Sequence, residues 1–368
     1  MAVKCKDVVN FMEKWAPAYL AEEWDNVGLI IGDEGKTVNR ILVCLDITSS
    51  VVEYAENENV DMIITHHPLL FRPIKRLCGS NWKEKLIARL IKKDICVYSA
   101  HTNLDYAEEG VNWQLAQAIG LTEIRNLKTV KEEKIYKVAV FVPYESLDAV
   151  REAMGKEGAG WIGRYSNCFF MAEGTGTFMP LEGTNPYIGT QGVLEKVKEY
   201  RLESVVPESK LKGVIEAMIK AHPYEEVAYD IYPLKIKGRG FGYGKIGVVT
   251  PSLSLQEFAS NVKKALNADY VRVIGKAKKD IKKAAVFSGS LDEDILGSIP
   301  SDVDVLVTGD IKYHIAIEIA EMGMCVIDAG HFNTENVIVP AIINKLKSKF
   351  TDINITGIET KLDPFIYY

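Results

Sequence analysis

The first third of the chain alternates short apolar runs with segments whose apolar residues recur at helical spacing. Runs at residues 40–47, 60–65 and 95–100 are rich in Val, Ile and Leu and predict buried β-strands. The intervening pattern predicts helices over 49–58, 81–93 and 111–119. Because strands that are apolar on both faces are usually covered on both sides, this alternation predicts an α/β layer structure.

The last third of the chain repeats the same alternation. Its apolar runs predict strands over 245–249, 284–287, 303–308 and 324–328. Amphipathic segments predict helices over 255–266, 311–322 and 335–347. A further helix is predicted at the N-terminus, where Val8, Val9, Phe11, Met12 and Trp15 recur at helical spacing among charged residues, unlike a signal peptide.

The middle third has a different character. It predicts a strand over 132–143, a helix over 145–156, Gly-centred turns with short β pieces over 158–192, a helix over 209–221 and a strand over 227–232. GRGFGYG, residues 238–244, has the composition of a linker. We therefore predict one α/β core formed by residues 1–129 and 237–368, with an inserted α+β domain at 130–236.

Two pairs of segments resemble each other across the predicted core. VDMIITHH (60–67) is similar to VDVLVTGD (303–310), and ICVYSAHTNLD (95–105) is similar to MCVIDAGHFNTE (324–335) with one inserted residue. The similarity predicts a pseudo-duplicated core with a site between its halves. Chance similarity of β-rich runs is the alternative.

Composition narrows the class of protein. The chain has 368 residues, of which 47% are hydrophobic and 26% charged, and a net charge of -6. This balance disfavours a nucleic-acid partner, and the basic run at 276–283 is best interpreted as a solvated helix or loop face. No apolar stretch reaches the ~20 residues needed to span a bilayer. The six cysteines form no CxxC pair and predict buried reduced thiols in a cytoplasmic protein.

Histidines and carboxylates follow three of the predicted strands, at the sheet edge where α/β proteins place their ligand sites. His66 and His67 follow the second strand, and Asp105 follows the third. His331 and Glu335 follow the equivalent strand of the second half. Three imidazoles and two carboxylates suffice for a site that holds two divalent metal ions, and Zn, Fe, Mn, Co and Ni all suit such ligands.

His101 also follows the third strand, but it is not assigned as a ligand. It is a candidate for the catalytic acid or base. The alternative is that it orients a ligand through a hydrogen bond.

Four ordered motifs resemble a known family. WDNVGLIIGD (24–33), ITHHPLLF (64–71), SAHTNLD (99–105) and DAGHFNTE (328–335) are similar to the dinuclear metal centre proteins known as GTP cyclohydrolase 1 type 2 homologues. The resemblance covers nearly the whole chain, and no metal position departs from the family pattern.

The resemblance implies a two-metal site with His66, His67, Asp105, His331 and Glu335 as its ligands and Glu335 bridging the ions. It implies a homohexameric toroid whose metal sites face an internal cavity. It also implies that the insertion resembles the PII/CutA-like fold, with His222 in that domain and away from the metals.

Several neighbouring residues have two interpretations. Trp24, Asp25 and Asn26 either line the cavity or form a loop in which Asp25 or Asn26 satisfies backbone amides while Trp24 packs. Gly309 and Asp310 either line the site or, as we favour for Asp310, cap the following helix.

Two functions remain open on the sequence. The first is a metal-dependent hydrolase of an unidentified small molecule such as a nucleotide, although no G-x-x-x-x-G-K-[ST] phosphate-binding motif occurs. The second is a non-catalytic metal-binding chaperone or regulatory scaffold.

Overall fold

The chain divides into two compact units. The computed structural model describes residues 2–276, 280–291, 293–358 and 363–366. Met1–Lys131 and Phe241–Tyr368 form the core unit, and Glu132–Gly240 forms the inserted unit.

The first half of the core unit contains a five-stranded sheet. Its strands are β1 (Gly28–Ile31), β2 (Arg40–Cys44), β3 (Met62–Thr65), β4 (Cys96–Ser99) and β15 (Asn354–Gly357), in the order β1-β4-β3-β2-β15. Strands β15, β2, β3 and β4 are parallel, and β1 is antiparallel to β4. The accompanying helices are α1 (Cys5–Trp15), a 3-10 turn at Ala18–Leu20, α2 (Ser49–Asn57), α3 (Trp82–Lys92), α4 (Thr102–Tyr106) and α5 (Val111–Ala118).

Both faces of this sheet are covered, which explains its apolar strands. Ile41 and Val43 pack into one hydrophobic cluster together with the buried side of α1. Leu42 and Cys44 pack into a second cluster with α2 and α3. Successive strand residues point to opposite faces, so β2 must be apolar at every buried position.

The second half of the core unit contains a six-stranded sheet. Its strands are β5 (Thr122–Glu132), β10 (Gly240–Leu253), β11 (Arg272–Ile274), β12 (Ile281–Ser290), β13 (Val305–Gly309) and β14 (Val326–Asp328), in the order β11-β14-β13-β12-β10-β5. Strands β12, β13 and β14 are parallel, whereas β11 and β10 run antiparallel to their partners. The accompanying helices are α8 (Leu255–Ala265), α9 (Glu293–Leu296), α10 (Tyr313–Glu321), α11 (His331–Glu335) and α12 (Ile338–Lys349).

The two sheets repeat one plan. The order β1-β4-β3-β2 in the first matches β11-β14-β13-β12 in the second, each with three parallel strands and an antiparallel edge strand. The similar sequence segments fall on β3 and β13 and on β4 and β14. The predicted pseudo-duplicated α/β core is confirmed, and chance similarity does not explain it.

The inserted unit is an α+β structure. It comprises β6 (Ile135–Pro143), a 3-10 turn at Tyr144–Ser146, α6 (Leu147–Lys156), β7 (Phe169–Phe178), β8 (Glu195–Pro207), α7 (Glu208–Ala221) and β9 (Tyr229–Leu234). Its antiparallel sheet has the order β7-β8-β6-β9, which together with the βαββαβ sequence is the ferredoxin-like plan. Val138, Val140 and Val142 of β6 pack against Val150 of α6 and Val214 of α7.

Several predictions of local structure were wrong. Residues 240–244 belong to β10, and Phe241 is buried, so most of GRGFGYG is a strand and not a linker. The segment predicted to hold short β pieces contains the ten-residue strand β7. The helix predicted at 335–347 is two helices, α11 and α12, separated by residues 336 and 337. Strands β1, β5, β8, β11 and β15 were not predicted. Exposed and partly exposed positions dilute the apolar pattern of β5 and β8, and β1, β11 and β15 have only three or four residues each.

Two further predictions concern the surface and the thiols. Within the described residues, no helix is long and apolar enough to cross a membrane. Of the basic run, Ala277, Lys278 and Lys279 lie outside the described residues, while Lys282 and Lys283 lie in β12 and not in a helix or loop. Four of the six free cysteines are buried as predicted: Cys5, Cys44, Cys96 and Cys325.

Candidate metal centre

The first half of the core unit supplies four of the six candidate site residues. His66 and His67 directly follow β3. Their backbone amides donate to the carbonyl oxygens of Cys44, the last residue of β2, and of Leu45 at 3.3 and 2.9 Å, which continues the strand pairing by two residues. His101 follows β4 as the residue before α4, and Asp105 lies in that short helix. The carboxyl ends of parallel strands meet at one sheet edge, so these side chains are brought together.

The second half supplies His331 and Glu335, the first and last residues of α11. Their four-residue spacing on a helix places both side chains on one face. Two nearby glycines leave room for them because they have no side chain. A Cβ on Gly289, whose φ is +72°, would lie 2.3 Å from Glu335 Oε1. A Cβ on Gly309 would lie 2.7 Å from the backbone at Gly330 and His331. The glycines therefore let Glu335, which is buried, fit against the second sheet.

Each candidate imidazole is held through its Nδ1 atom. His66 Nδ1 lies 2.8 Å from the carbonyl oxygen of Ala100, and His67 Nδ1 lies 2.9 Å from Oδ1 of Asp46. A carbonyl or carboxylate at Nδ1 accepts the proton there, which leaves Nε2 free as a lone-pair donor. This arrangement is typical of histidines that bind metals.

The other two imidazoles are held in the same way. His101 Nδ1 lies 2.9 Å from Asp25 Oδ1, and His331 Nδ1 lies 2.9 Å from Asp310 Oδ2. Asp25 also accepts a hydrogen bond from the Thr102 backbone amide at 3.0 Å, which fixes its carboxylate. All four histidines thus present Nε2 to a common space.

The free nitrogens converge on two carboxylates. Glu335 Oε2 lies 3.0 Å from Nε2 of both His67 and His331. Its other oxygen, Oε1, faces His66 Nε2 at 4.0 Å, and Asp105 Oδ1 lies 3.7 Å from the same nitrogen. The two oxygens of Glu335 therefore face different histidines: Oε2 faces His67 and His331, and Oε1 faces His66.

Three of these atoms have no hydrogen-bond partner although they are buried: His66 Nε2, Asp105 Oδ1 and Glu335 Oε2. Glu335 Oε2 is close to two imidazole nitrogens, but the angles there do not make hydrogen bonds. Buried polar atoms without partners are rare, because each costs the free energy of its lost hydration. A cation bound among these atoms would supply the missing partner, so the residues present fit a divalent metal.

The donor atoms form two overlapping groups that could each hold an ion. In one group, the donors of His66, His67 and His101 lie within 4.8 Å of one another, and in the other the same holds for His67, His331 and Glu335. His67 belongs to both groups. His101, expected either as an acid or base or as a residue that orients a ligand, therefore also lies within reach of a metal in the first group.

Burial and neighbouring charges shift the pKa values of the imidazoles in opposite directions. Burial, together with the nearby His67 and His101, lowers the pKa of His66 to about 3 despite the attraction of Glu335. Burial also opposes protonation of His67, but its hydrogen bond to Asp46 and the close negative charge of Glu335 outweigh this and raise its pKa to about 10. For His331, the close charge of Glu335 and the bond to Asp310 likewise outweigh burial and raise the pKa to about 9.

The pKa values of the two carboxyl groups are also shifted in opposite directions. Burial and the charge of Glu335 raise the pKa of Asp105 to about 7. Burial disfavours the charged form of Glu335 as well, but contacts with His331 and His67 outweigh it and hold the pKa of Glu335 well below its usual value. In the absence of metal, His67 and His331 are protonated, and their positive charges balance the negative charge of Glu335. A bound cation would take over this role and displace the protons.

The loop at residues 24–26 matches the sequence interpretation only in part. Asp25 satisfies the backbone amide of Thr102, as the loop interpretation predicted. The packing expected for Trp24 was wrong: its side chain is 59% exposed, and its ring contacts Phe71 at 5.6 Å and His101 at 6.2 Å between centroids. Trp24 and Phe71 therefore form an exposed aromatic pair beside the candidate metal centre.

Asp310 does not cap the following helix as we favoured. Helix α10 begins at Tyr313, preceded by Lys312, whereas the Asp310 side chain holds His331. Asp310 has a φ of +48°, a conformation that L-residues rarely adopt. Asp46, which holds His67, was missed; its position just after the first buried strand was the available signal. His222 lies in the inserted unit, at the end of α7.

The fold and the site together define a duplicated α/β core with a histidine- and carboxylate-rich candidate metal centre between its halves. The sequence profile of the family described as Duf34/NIF3 (NGG1p interacting factor 3) matches residues 3–364. The chain belongs to this family.

Curated relatives and solved structures are similar over the full length. The "GTP cyclohydrolase 1 type 2 homolog" of Halalkalibacterium halodurans is 42% identical over 98% of each chain, and that of Bacillus subtilis is 41% identical over 100% of this chain and 99% of its own. The crystal structure of a Bacillus cereus protein related to NIF3 superposes with a TM-score of 0.89 at 39% identity, covering all of both chains.

Proposed function

We propose that the core unit binds two divalent metal ions through His66, His67, Asp105, His331 and Glu335, with Glu335 bridging them. The observation that carries this proposal is the set of buried donor atoms without hydrogen-bond partners that face one another across the two halves. Zn, Fe, Mn, Co and Ni are all compatible with imidazole and carboxylate ligands.

We further propose that the site is a metal-dependent hydrolase centre for a small molecule. Two ions in such a site supply Lewis-acid polarisation of a substrate oxygen and of the attacking water. A cavity of about 440 Å³ adjoins His67 and His331 and also includes Tyr270 and Arg272, a volume in the range of small-molecule sites. The name of the curated relatives suggests a nucleotide such as GTP as the substrate to test first.

The residues around the ligands have separate tasks in this proposal. Asp46 and Asp310 orient the imidazoles of His67 and His331 through their Nδ1 atoms. His101, held by Asp25, moves the proton as the catalytic acid or base. Trp24 and Phe71 provide a surface against which a planar ring of the substrate stacks.

Elemental analysis of the purified protein tests the metal proposal. The wild type should carry about two metal ions per chain, and His67→Ala and Glu335→Ala should each lose most of this metal. His314→Ala and Glu321→Ala are matched controls, because both side chains are exposed on α10 and should retain the wild-type metal content. Wild-type protein that stays metal-free after loading with Zn, Fe or Mn would contradict the proposal.

A non-catalytic regulatory scaffold is the second candidate function. The observation that favours it is a separate cavity formed entirely within the inserted unit, which is the kind of feature a ligand sensor needs. A metal-loaded protein that hydrolyses no nucleotide in a broad screen would favour this function. Hydrolysis that persists in metal-free protein would contradict the metalloenzyme proposal.

Family membership also supports three further proposals, on assembly, on the inserted unit and on location in the cell. We propose that the chain assembles as a homohexameric toroid, that the inserted unit is a PII/CutA-like domain, and that the protein is cytoplasmic. The ferredoxin-like plan of the inserted unit supports the second of these. Light scattering of the purified protein would test the first, since a monomer at micromolar concentration would contradict it.

A further inference from the structure

The inserted unit contains a cavity that the candidate metal centre does not use. It has a volume of about 640 Å³ and is lined only by residues between 141 and 228. The neighbouring strands β7 and β8 form one wall, and residues of the connection between them also line the cavity. The volume suits a small organic molecule.

A buried carboxylate lies in this cavity. Glu199 of β8 is only 7% exposed, and its Oε1 accepts a hydrogen bond from the Tyr224 hydroxyl at 2.9 Å. Gly176 on the adjacent strand makes room for it, because a Cβ there would lie 2.1 Å from Glu199 Oε2. Since burying a carboxylate costs hydration, its placement against a cavity indicates that a partner of opposite charge is accommodated there.

A chain of hydrogen bonds holds the Glu199 partner in place. The backbone amide of Tyr224 donates to His222 Nδ1 at 3.1 Å, and His222 Nε2 donates to the carbonyl oxygen of Phe141 at 2.9 Å. Burial lowers the pKa of His222, so its neutral form makes both contacts. These bonds position the Tyr224 backbone, and its hydroxyl donates to Glu199 Oε1.

Aromatic rings surround the same space. The Tyr224 ring lies 5.9 Å from the ring of Phe178 and 6.2 Å from that of Tyr187, measured between centroids. Phe141 also lines the cavity. The negative faces of aromatic rings attract cations, and this attraction strengthens where water is excluded.

The charges around the cavity favour a cation over an anion. Four carboxylates line it, those of Glu173, Glu199, Glu225 and Glu226, against the single cationic side chain of Arg201. The Arg201 guanidinium is already paired with Glu203 at 3.1 Å. The Glu225 carboxylate is engaged in accepting the Asn185 amide at 3.0 Å, which ties down the β7–β8 connection. Glu173 is likewise paired with Lys198 at 3.6 Å, but the lining carboxylates still outnumber the cationic side chains, so an entering anion would face a net negative surface.

We propose that this cavity is a binding site for a small organic cation, an amine attached to an apolar or aromatic body. The ammonium group pairs with Glu199, and the apolar body lies against Phe178, Tyr187 and Tyr224. This ligand site is independent of the metal centre, and it gives the inserted unit a function of its own.

Saturation-transfer NMR on the full-length protein tests this proposal with three matched probes. Phenethylamine carries a positive charge, 2-phenylethanol is neutral, and 3-phenylpropanoate is negative. We expect phenethylamine to bind with a dissociation constant on the order of 1 mM, as expected for a ligand of its size, and more tightly than the alcohol. The carboxylate probe should give no saturable signal.

Variants of the cavity residues test whether phenethylamine binds in this cavity. Glu199→Gln keeps the shape of the side chain but removes its charge, and should weaken phenethylamine binding at least 10-fold. Glu216→Gln is the matched control, because Glu216 is exposed on α7 and does not line the cavity. Tyr224→Phe keeps the ring but removes the hydroxyl that orients Glu199, and it should weaken phenethylamine binding several-fold. It is the alternative test variant if Glu199→Gln does not fold.

Three results would overturn the proposal. The first is equal or tighter binding of 3-phenylpropanoate, which would mean that Arg201 makes the cavity an anion site. The second is phenethylamine binding that is the same in wild type, Glu199→Gln and Tyr224→Phe, which would place the probe elsewhere. The third is the absence of saturable binding by all three probes at 10 mM, roughly ten times the expected dissociation constant.

Discussion

Glu335 Oε2 lies 3.0 Å from Nε2 of His67, although the two residues come from opposite halves of the chain. His67 lies two residues after β3 of the first sheet, and Glu335 is the last residue of α11, the short helix that follows β14 of the second sheet. The contact exists only when both halves of the duplicated core are folded together. Metal binding should therefore report on the assembly of the core.

Gly289→Ala should remove metal without altering any proposed ligand. A Cβ at this position would lie 2.3 Å from Glu335 Oε1, so the carboxylate must move. Gly323→Ala is the matched control, because Gly323 has a similar φ of +70° but an open environment. Both variants should lose about 1 kcal/mol of unfolding free energy from backbone strain, but only Gly289→Ala should lose metal in elemental analysis. Equal metal content in the two variants would contradict the placement of Glu335.

Asp46→Ala should weaken metal binding while leaving all five proposed ligands intact. Asp46 holds the Nδ1 atom of His67 at 2.9 Å, and loss of such a partner typically reduces metal affinity 10- to 100-fold. Competition with a fluorescent chelator measures the change. Asp352→Ala, which removes an exposed carboxylate, should behave as wild type. An Asp46→Ala variant with wild-type affinity would show that His67 needs no orienting group.

His101→Ala separates the two tasks that its position allows. If His101 is the catalytic acid or base, the variant should keep its metal, while turnover of an identified substrate falls about 100-fold or more. Asp25→Asn should act in the same direction, because Asp25 holds His101 Nδ1. Metal analysis and steady-state kinetics on the same samples provide the measurement. Loss of about one metal equivalent in His101→Ala would instead make His101 a ligand.

Trp24→Ala and Phe71→Ala should impair binding of substrates that contain a planar ring. Stacking of one base on an aromatic side chain is worth about 1 to 3 kcal/mol, so KM or Kd should rise roughly 5- to 100-fold while kcat changes little. Trp161→Ala is a suitable control, because Trp161 is similarly exposed but lies in the inserted unit. Unchanged KM values in both variants would mean that the aromatic pair does not contact the substrate.

Lys245→Met should stabilise the protein at pH 7. Lys245 is 4% exposed, and burial lowers its pKa to about 8, so its charge is disfavoured in the folded state. Below pH 8 the wild type therefore folds at a cost that methionine avoids, a difference on the order of 2 kcal/mol.

The advantage of Lys245→Met should shrink as the pH rises from about 8 towards the ordinary lysine pKa near 10.5. In this window the unfolded chain holds the proton and the folded chain does not, so wild-type stability rises relative to the variant. Urea unfolding of both proteins at pH 7 and pH 10 measures the difference. A constant difference between the two pH values would contradict the lowered pKa.

The sequence alone determined the class of fold and the chemistry of the candidate centre. Continuous apolar runs such as residues 60–65 predicted buried parallel strands, because a strand covered on both faces must be apolar at successive positions. The similarity of residues 60–67 to 303–310 and of 95–105 to 324–335 predicted the duplication, because similar segments tend to fold in the same way. These predictions depend on local composition and spacing, which are properties of the chain itself.

Only the tertiary structure decided what surrounds the candidate centre. The positions of Asp46 and Asp310 after buried strands suggest only that they lie near the sheet edge, and the sequence does not show that they hold His67 and His331. The buried carboxylate of Glu199 is equally invisible in the alternating pattern of β8. Such relationships depend on strand order, on register and on the space left by glycines such as Gly176 and Gly289. These properties arise only when distant segments pack, because hydrogen-bond partners and burial are set by neighbours in space and not by neighbours in the chain.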